Sequence, residues 1–142
     1  MKQRTKQFAL RVIRLVNAMP KDRAAEVIGR QLLRAGTSVG SNYRAACRAR
    51  SQAEFIAKMG IVEEEVDEAL YWMELLTEGG LMQRKTLSPL MNEAKEVLAI
   101  VVASINTARG GSRSAGGRKS AIRNPQSAIK SPFAAGRPKD HG

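Results

Sequence analysis

Apolar or small residues recur at Ile28, Leu32, Ala35, Val39, Asn42, Ala46 and Ala49, in alternating steps of four and three. Such steps line up along one seam of a helix that packs lengthwise on other helices. The middle of the seam, Ala35-Gly36-Thr37-Ser38-Val39-Gly40-Ser41, is made of small residues. Each glycine there costs a helix about 1 kcal/mol against alanine, so the pattern predicts a close backbone approach or a bend. Asn42 falls where the seam expects an apolar side chain. A buried amide must be hydrogen-bonded, and it fixes register more than it adds stability.

The same spacing recurs along the chain. Phe8, Val12, Leu15 and Met19 predict a first helix over about Thr5 to Met19, stopped by Pro20. A second helix starts near Asp22, its expected N-cap, and runs to about Arg50. Ser51-Gln52-Ala53-Glu54 reads as a capping box, so a third helix follows after a very short turn. Its seam is Phe55, Met59, Val62, Val66, Ala69, Met73 and Leu76, with Glu63, Glu64, Glu65, Asp67, Glu68 and Glu74 elsewhere on its surface. Gly79-Gly80 ends it. A fourth helix begins between Gln83 and Pro89 and carries Leu87, Met91, Ala94, Leu98, Val101 and Ile105 on one stripe. Four such helices joined by short loops predict an all-α fold, an antiparallel up-down-up-down four-helix bundle over residues 1–107. Residues 108–142 are rich in Gly, Ser, Arg, Pro and Ala and have almost no apolar period. They predict a disordered basic C-terminal tail.

Charge sharpens this picture. Of the net +11, residues 1–50 hold 12 Lys/Arg against Asp22 and Glu26, while residues 51–107 hold 4 Lys/Arg against 10 acids. The tail returns to basic, with 8 Lys/Arg and one acid. A single cysteine, Cys47, excludes an internal disulfide and suits a reducing compartment. No run approaches the length of a membrane span, and the start of the chain does not read as a signal sequence, so a cytoplasmic protein with no membrane partner is expected.

Three segments carry a resemblance. They are Gln31-Leu32-Leu33-Arg34-x-x-Thr37-Ser38-Val39-x-x-Asn42-Tyr43, Arg50-Ser51-x-x-Glu54-Phe55-Ile56-x-Lys58 and Glu65-x-x-Glu68-x-x-Tyr71-Trp72-x-Glu74-Leu75-Leu76. Together, over roughly Phe8 to Ile105, they resemble the four helix bundle protein family, also called the 23S rRNA intervening sequence protein family. The resemblance implies a homo-oligomer, a pentamer in the characterised relatives, with a basic surface that binds RNA or DNA. It also implies one of two settings, as an accessory to a reverse transcriptase or in association with ribosomal RNA. One departure stands out: many members carry Glu then Gly where this chain has Ala45 and Ala46.

Catalysis finds little to work with. The one histidine, His141, is the penultimate residue of the tail, so no His-based triad or Glu-x-x-His metal site is available. Gly36 and Gly40 lie inside a helical seam, unlike the glycines of a phosphate loop. The expectation is a non-enzyme without cofactor or metal. The candidate nucleic-acid-binding set is Arg11, Arg14, Arg30, Arg34, Arg44, Arg48 and Arg50, with Lys6 beside it, because arginine pairs well with phosphate and a basic face is the footprint of a nucleic-acid binder. The alternative is that these arginines meet the acids of the third helix, within the bundle or across a subunit boundary in a head-to-tail ring, giving a protein-interaction oligomer with no nucleic-acid role. Gln31, Ser38 and Asn42 are expected to form a structural polar network that sets helix register or a subunit contact.

Overall fold

The computed structural model describes the backbone of residues 1–115 and the side chains of residues 1–110. Four helices follow one another: α1 (Lys2–Asn17), α2 (Arg23–Cys47), α3 (Gln52–Glu78) and α4 (Arg84–Ala115). Each packs on the next, α4 closes on α1, and the diagonal pairs do not approach closely among the described residues. Directions follow from which levels meet. Along α2, Gly29 faces Met19, Gly36 faces Val12 and Gly40 faces Thr5, so α1 and α2 run antiparallel. Gln52 at the start of α3 donates from Nε2 to the Ala108 carbonyl near the end of α4 at 2.7 Å, so that pair is antiparallel too.

Local chemistry sets the helix ends. The Asp22 carboxylate accepts from the Ala25 N–H at 3.2 Å and caps α2. Ser51 Oγ accepts from the Glu54 N–H at 3.0 Å, and the Glu54 carboxylate accepts from the Arg50 N–H at 2.9 Å. The return bond thus lands one residue earlier than the usual capping box. α3 ends at Gly79, and Gly80 takes a φ of +74°, a left-handed conformation that favours glycine. In the turn that follows, the Leu81 N–H donates to the Leu76 carbonyl.

The seam of α3 is buried as its spacing predicts: Phe55, Met59, Val62, Val66, Ala69, Met73 and Leu76 are all fully covered. Burying a side chain of the size of Leu, Met or Phe stabilises by about 1.5–3 kcal/mol, which makes α3 the central contributor to the core. On the other helices the expected seams are corrected in detail. In α2 the core position taken for Asn42 belongs to Tyr43, which is 6% exposed, while Asn42 is half-buried. In α4 Val97 is buried where Leu98 was expected, and Leu98 lies at the edge of the core. Both are one-residue shifts, in opposite directions, set by which side of each helix its neighbours cover.

α2 continues unbroken through Gly36 and Gly40, so its glycines serve close approach to α1. An ideal Cβ on Gly36 would stand 2.8 Å from Val12 Cγ2. The boundary expected at residue 107 also moves. α4 runs on to Ala115, Ala108 is fully buried and Gln52 bonds its carbonyl, so the bundle includes residues first assigned to the tail. The disorder expected of the rest of the tail concerns residues 116–142, which lie outside the described residues. Among the described residues no helix is long and apolar enough to cross a membrane.

Candidate nucleic-acid interface

The outer face of α2 is organised by a period of seven. Arg23, Arg30, Thr37 and Arg44 are seven residues apart and share one side of the helix, and Arg48 follows Arg44 by one turn. All four arginines are exposed, and none has a carboxylate within ion-pair distance among the described residues. Within α2 the only acid is Glu26. Between the arginines the hydroxyls turn inward to their own backbone: Thr37 Oγ1 donates to the Leu33 carbonyl at 2.8 Å and Ser41 Oγ to the Ser38 carbonyl at 3.2 Å. The stripe from Arg23 to Arg48 therefore runs for about 38 Å at 1.5 Å per residue, as cationic side chains over a smooth surface of small residues. Lys2 and Lys6 are exposed on α1 near the level where Thr5 meets Gly40, at the Arg44 end of the stripe.

The expected arginine set is split by the fold. Arg30, Arg44 and Arg48 stay together and gain Arg23. Arg34 turns aside to α3, where Nη2 pairs with Glu68 Oε2 and Nη1 with Glu65 Oε1 at 3.4 Å. The bond and charge of Arg34, helped by a 3.1 Å bond from Trp72 Nε1, hold the Glu68 carboxyl below the usual carboxylate range. That contribution is present at neutral pH and lost as pH falls through the depressed value. Exposed as it is, Arg34 is neutralised within the bundle and belongs to the α2–α3 seam. Arg11 lies two turns beyond Arg4 on the α1–α4 side, away from α2. Arg14 is exposed elsewhere on α1, and Arg50 sits exposed in the α2–α3 turn.

Arg4, absent from the expected set, is the cation that ties α1 to α4. Its Nε meets Glu93 at 2.7 Å and its Nη2 meets Glu96 at 2.7 Å. Nothing in the local sequence singles it out, since its partners lie some 90 residues away. Arg23 was legible, being one heptad before Arg30.

The polar network expected of Gln31, Ser38 and Asn42 is not an interhelical one. Ser38 Oγ donates to the Arg34 carbonyl at 2.7 Å, and Asn42 Nδ2 donates to the Ser38 carbonyl at 2.9 Å. Both bonds close one turn of the same helix. Gln31 is half-buried. Short side chains that bond the preceding turn are satisfied within their own helix. Tyr43, one residue on, is the buried group. Burial first, and the Cys47 thiol second, push its phenol well above the ordinary value.

Among the described residues no group of three His, Cys, Asp or Glu is placed to hold a metal ion. Residues 1–103 match the sequence profile of the 23S rRNA-intervening sequence proteins, which spans most of the bundle. The chain belongs to the 23S rRNA-intervening sequence protein family. A solved structure of the same kind is a protein of unknown function from the S23 ribosomal protein family of Bacteroides thetaiotaomicron VPI-5482. It is 33% identical, with a TM-score of 0.70, and the match covers 75% of this chain and 98% of that one. Among curated proteins none shows significant similarity to the chain.

Proposed function

We propose that this family member binds nucleic acid along the phosphate backbone through the outer face of α2, with no chemical step of its own. The observation that carries it is the row Arg23, Arg30, Arg44 and Arg48, four exposed guanidiniums without carboxylate partners among the described residues, on a helix whose only acid is Glu26. Exposed arginine is suited to bidentate phosphate contact. No aromatic ring belongs to the face, because Tyr43 is in the core. Base stacking is therefore missing and recognition rests on charge. Backbone contact of this kind is sequence-tolerant and strongly salt-dependent.

The test is a salt series of binding to one duplex RNA and one duplex DNA, read by fluorescence anisotropy on the full chain. Arg30, Arg44 and Arg48 changed together to Gln are expected to lower the slope of log affinity against log salt by about 2.7, at roughly 0.9 per phosphate contact on a duplex. The tail is common to both proteins, so the difference reports on α2. Arg34→Gln is the matched control and is expected to leave the slope unchanged. An equal slope in the triple variant overturns the assignment of the face.

We infer further that the bundle self-associates, as the family resemblance implies for a pentamer. Val27 is 49% exposed on α2. It lies seven residues before Arg34 on the same side, at the level of half-buried Trp72 and Leu75 on α3. An apolar edge between two charged faces suits a subunit contact. Light scattering of the full chain is expected to return a multiple of 15.5 kDa, five-fold for a pentamer, and Val27→Glu is expected to lower it. A monomer mass at micromolar concentration overturns the inference.

A further inference from the structure

The surface of α3 turned away from the core repeats at 4-3-4-3-4: Gly60, Glu64, Asp67, Tyr71, Glu74 and Glu78. These four acids are exposed, and none is in an ion pair among the described residues. Tyr71 is 51% exposed in their midst, with its ring edge-on to Trp72 at 5.2 Å. Ile61 is 39% exposed beside Gly60, where an added Cβ would meet nothing within 4 Å. Apolar groups this exposed inside an acidic stripe fit an occupant that is both basic and apolar.

We propose that the C-terminal segment of the same chain, residues 116–142, docks along this stripe of α3. Its composition is complementary: Arg118, Lys119, Arg123, Lys130, Arg137 and Lys139 against Asp140, interleaved with Ile122, Ile129 and Phe133. Its point of departure is right as well. α4 runs antiparallel to α3 and carries Ala108 to the Gln52 end, so the chain leaves the bundle where α3 begins. Reach is ample, since 27 extended residues span up to about 90 Å and the 27 residues of α3 only about 40 Å. Tethering also places the segment near its site at about millimolar effective concentration, which a second copy in dilute solution does not match. A second copy meeting stripe to stripe would set acid against acid. The segment lies beyond the stretch that matches the family, which makes the docking a property of this chain rather than of the common bundle.

The experiment places the photoreactive residue p-benzoylphenylalanine at position 71 of the full chain, in place of exposed Tyr71. Equal amounts of 14N and 15N protein are irradiated together. Mass spectrometry then locates the cross-linked peptide and tells whether both halves came from one copy. The expected product joins position 71 to residues 118–139 of the same copy. Its yield is expected to fall about tenfold when Glu64→Gln, Asp67→Asn, Glu74→Gln and Glu78→Gln are combined, and by a comparable factor when salt is raised enough to screen exposed pairs. Helicity by circular dichroism checks that the quadruple variant is folded. Cross-links to another copy, whether to its bundle or its C-terminal segment, overturn the proposal. So does the absence of a protein cross-link, or an undiminished yield in the quadruple variant.

Discussion

Replacing Gly36 by Leu is expected to destabilise the bundle by about 3 kcal/mol, read from the midpoint of guanidinium unfolding at constant slope. The cause is a wall. An ideal Cβ at position 36 stands 2.8 and 3.0 Å from the two methyls of Val12, which is fully buried and has no flexible end to swing away. Leucine adds three more carbons behind that Cβ. Relief requires α1 to move off α2, which would open the cover over Phe8 and Val12. Gly36→Ala is the graded form: overpacking of about 1–3 kcal/mol opposes a helix-propensity gain of about 1 kcal/mol, leaving a net loss of roughly 1 kcal/mol. Gly60→Ala is the control. It lies mid-helix in α3 with nothing within 4 Å of the new methyl, so it is expected to stabilise by up to about 1 kcal/mol. Val12→Ala should make room, so the Gly36→Ala/Val12→Ala pair is expected to be more stable than the sum of the singles by about 1 kcal/mol. If Gly36→Ala stabilises as Gly60→Ala does, the close α1–α2 contact is not as described.

The second large effect separates two neighbouring residues. Tyr43→Ala is expected to cost about 3–5 kcal/mol, as for other large aromatic side chains removed from a core. Asn42→Asp is expected to cost only about 1 kcal/mol: it loses the single bond its amide donates to the Ser38 carbonyl, but the side chain is half-buried and has no partner on another helix. The heptad seam alone predicts the opposite order. Thermal or denaturant unfolding of the two variants decides between them. Tyr43 also adds a pH dependence with a definite sign. Its phenol is held neutral in the fold, so the native state keeps a proton that the unfolded chain releases near pH 10. The stabilisation is complete below that pH and shrinks as pH rises through it. Tyr43→Phe removes this alkaline slope, and an unchanged slope in that variant would contradict the burial of the hydroxyl.

These two residues mark the boundary between what the sequence by itself determined and what only the tertiary structure decided. Four helices, their order, the Asp22 and Ser51 caps and the Gly79-Gly80 stop were legible, because each depends on residues within a turn or two. The α3 seam was legible in full, since α3 packs against a neighbour on either side and its apolar stripe is wide and regular. The small residues of α2 announced a close approach, yet not its partner. Gly36 needs Val12, and that pairing exists only once α1 folds back. Register slips of one residue, Asn42 for Tyr43 and Leu98 for Val97, run in opposite directions and arose because the partner helices choose which side is covered.

The candidate site divides in the same way. That α2 carries a surplus of arginine was visible in the sequence, and so was the common side of Arg30, Arg44 and Arg48. Which arginines remain available was not. Arg34 differs from Arg30 in no local respect, and only the return of α3 places Glu65 and Glu68 against it. Arg4 is bound to Glu93 and Glu96 through the closure of the first helix on the last. Charge along a chain counts cations and acids, whereas pairing depends on distances that long-range packing sets. Helix formation is local and could be read from the residues; the selection of free from paired charge is non-local and belongs to the folded bundle.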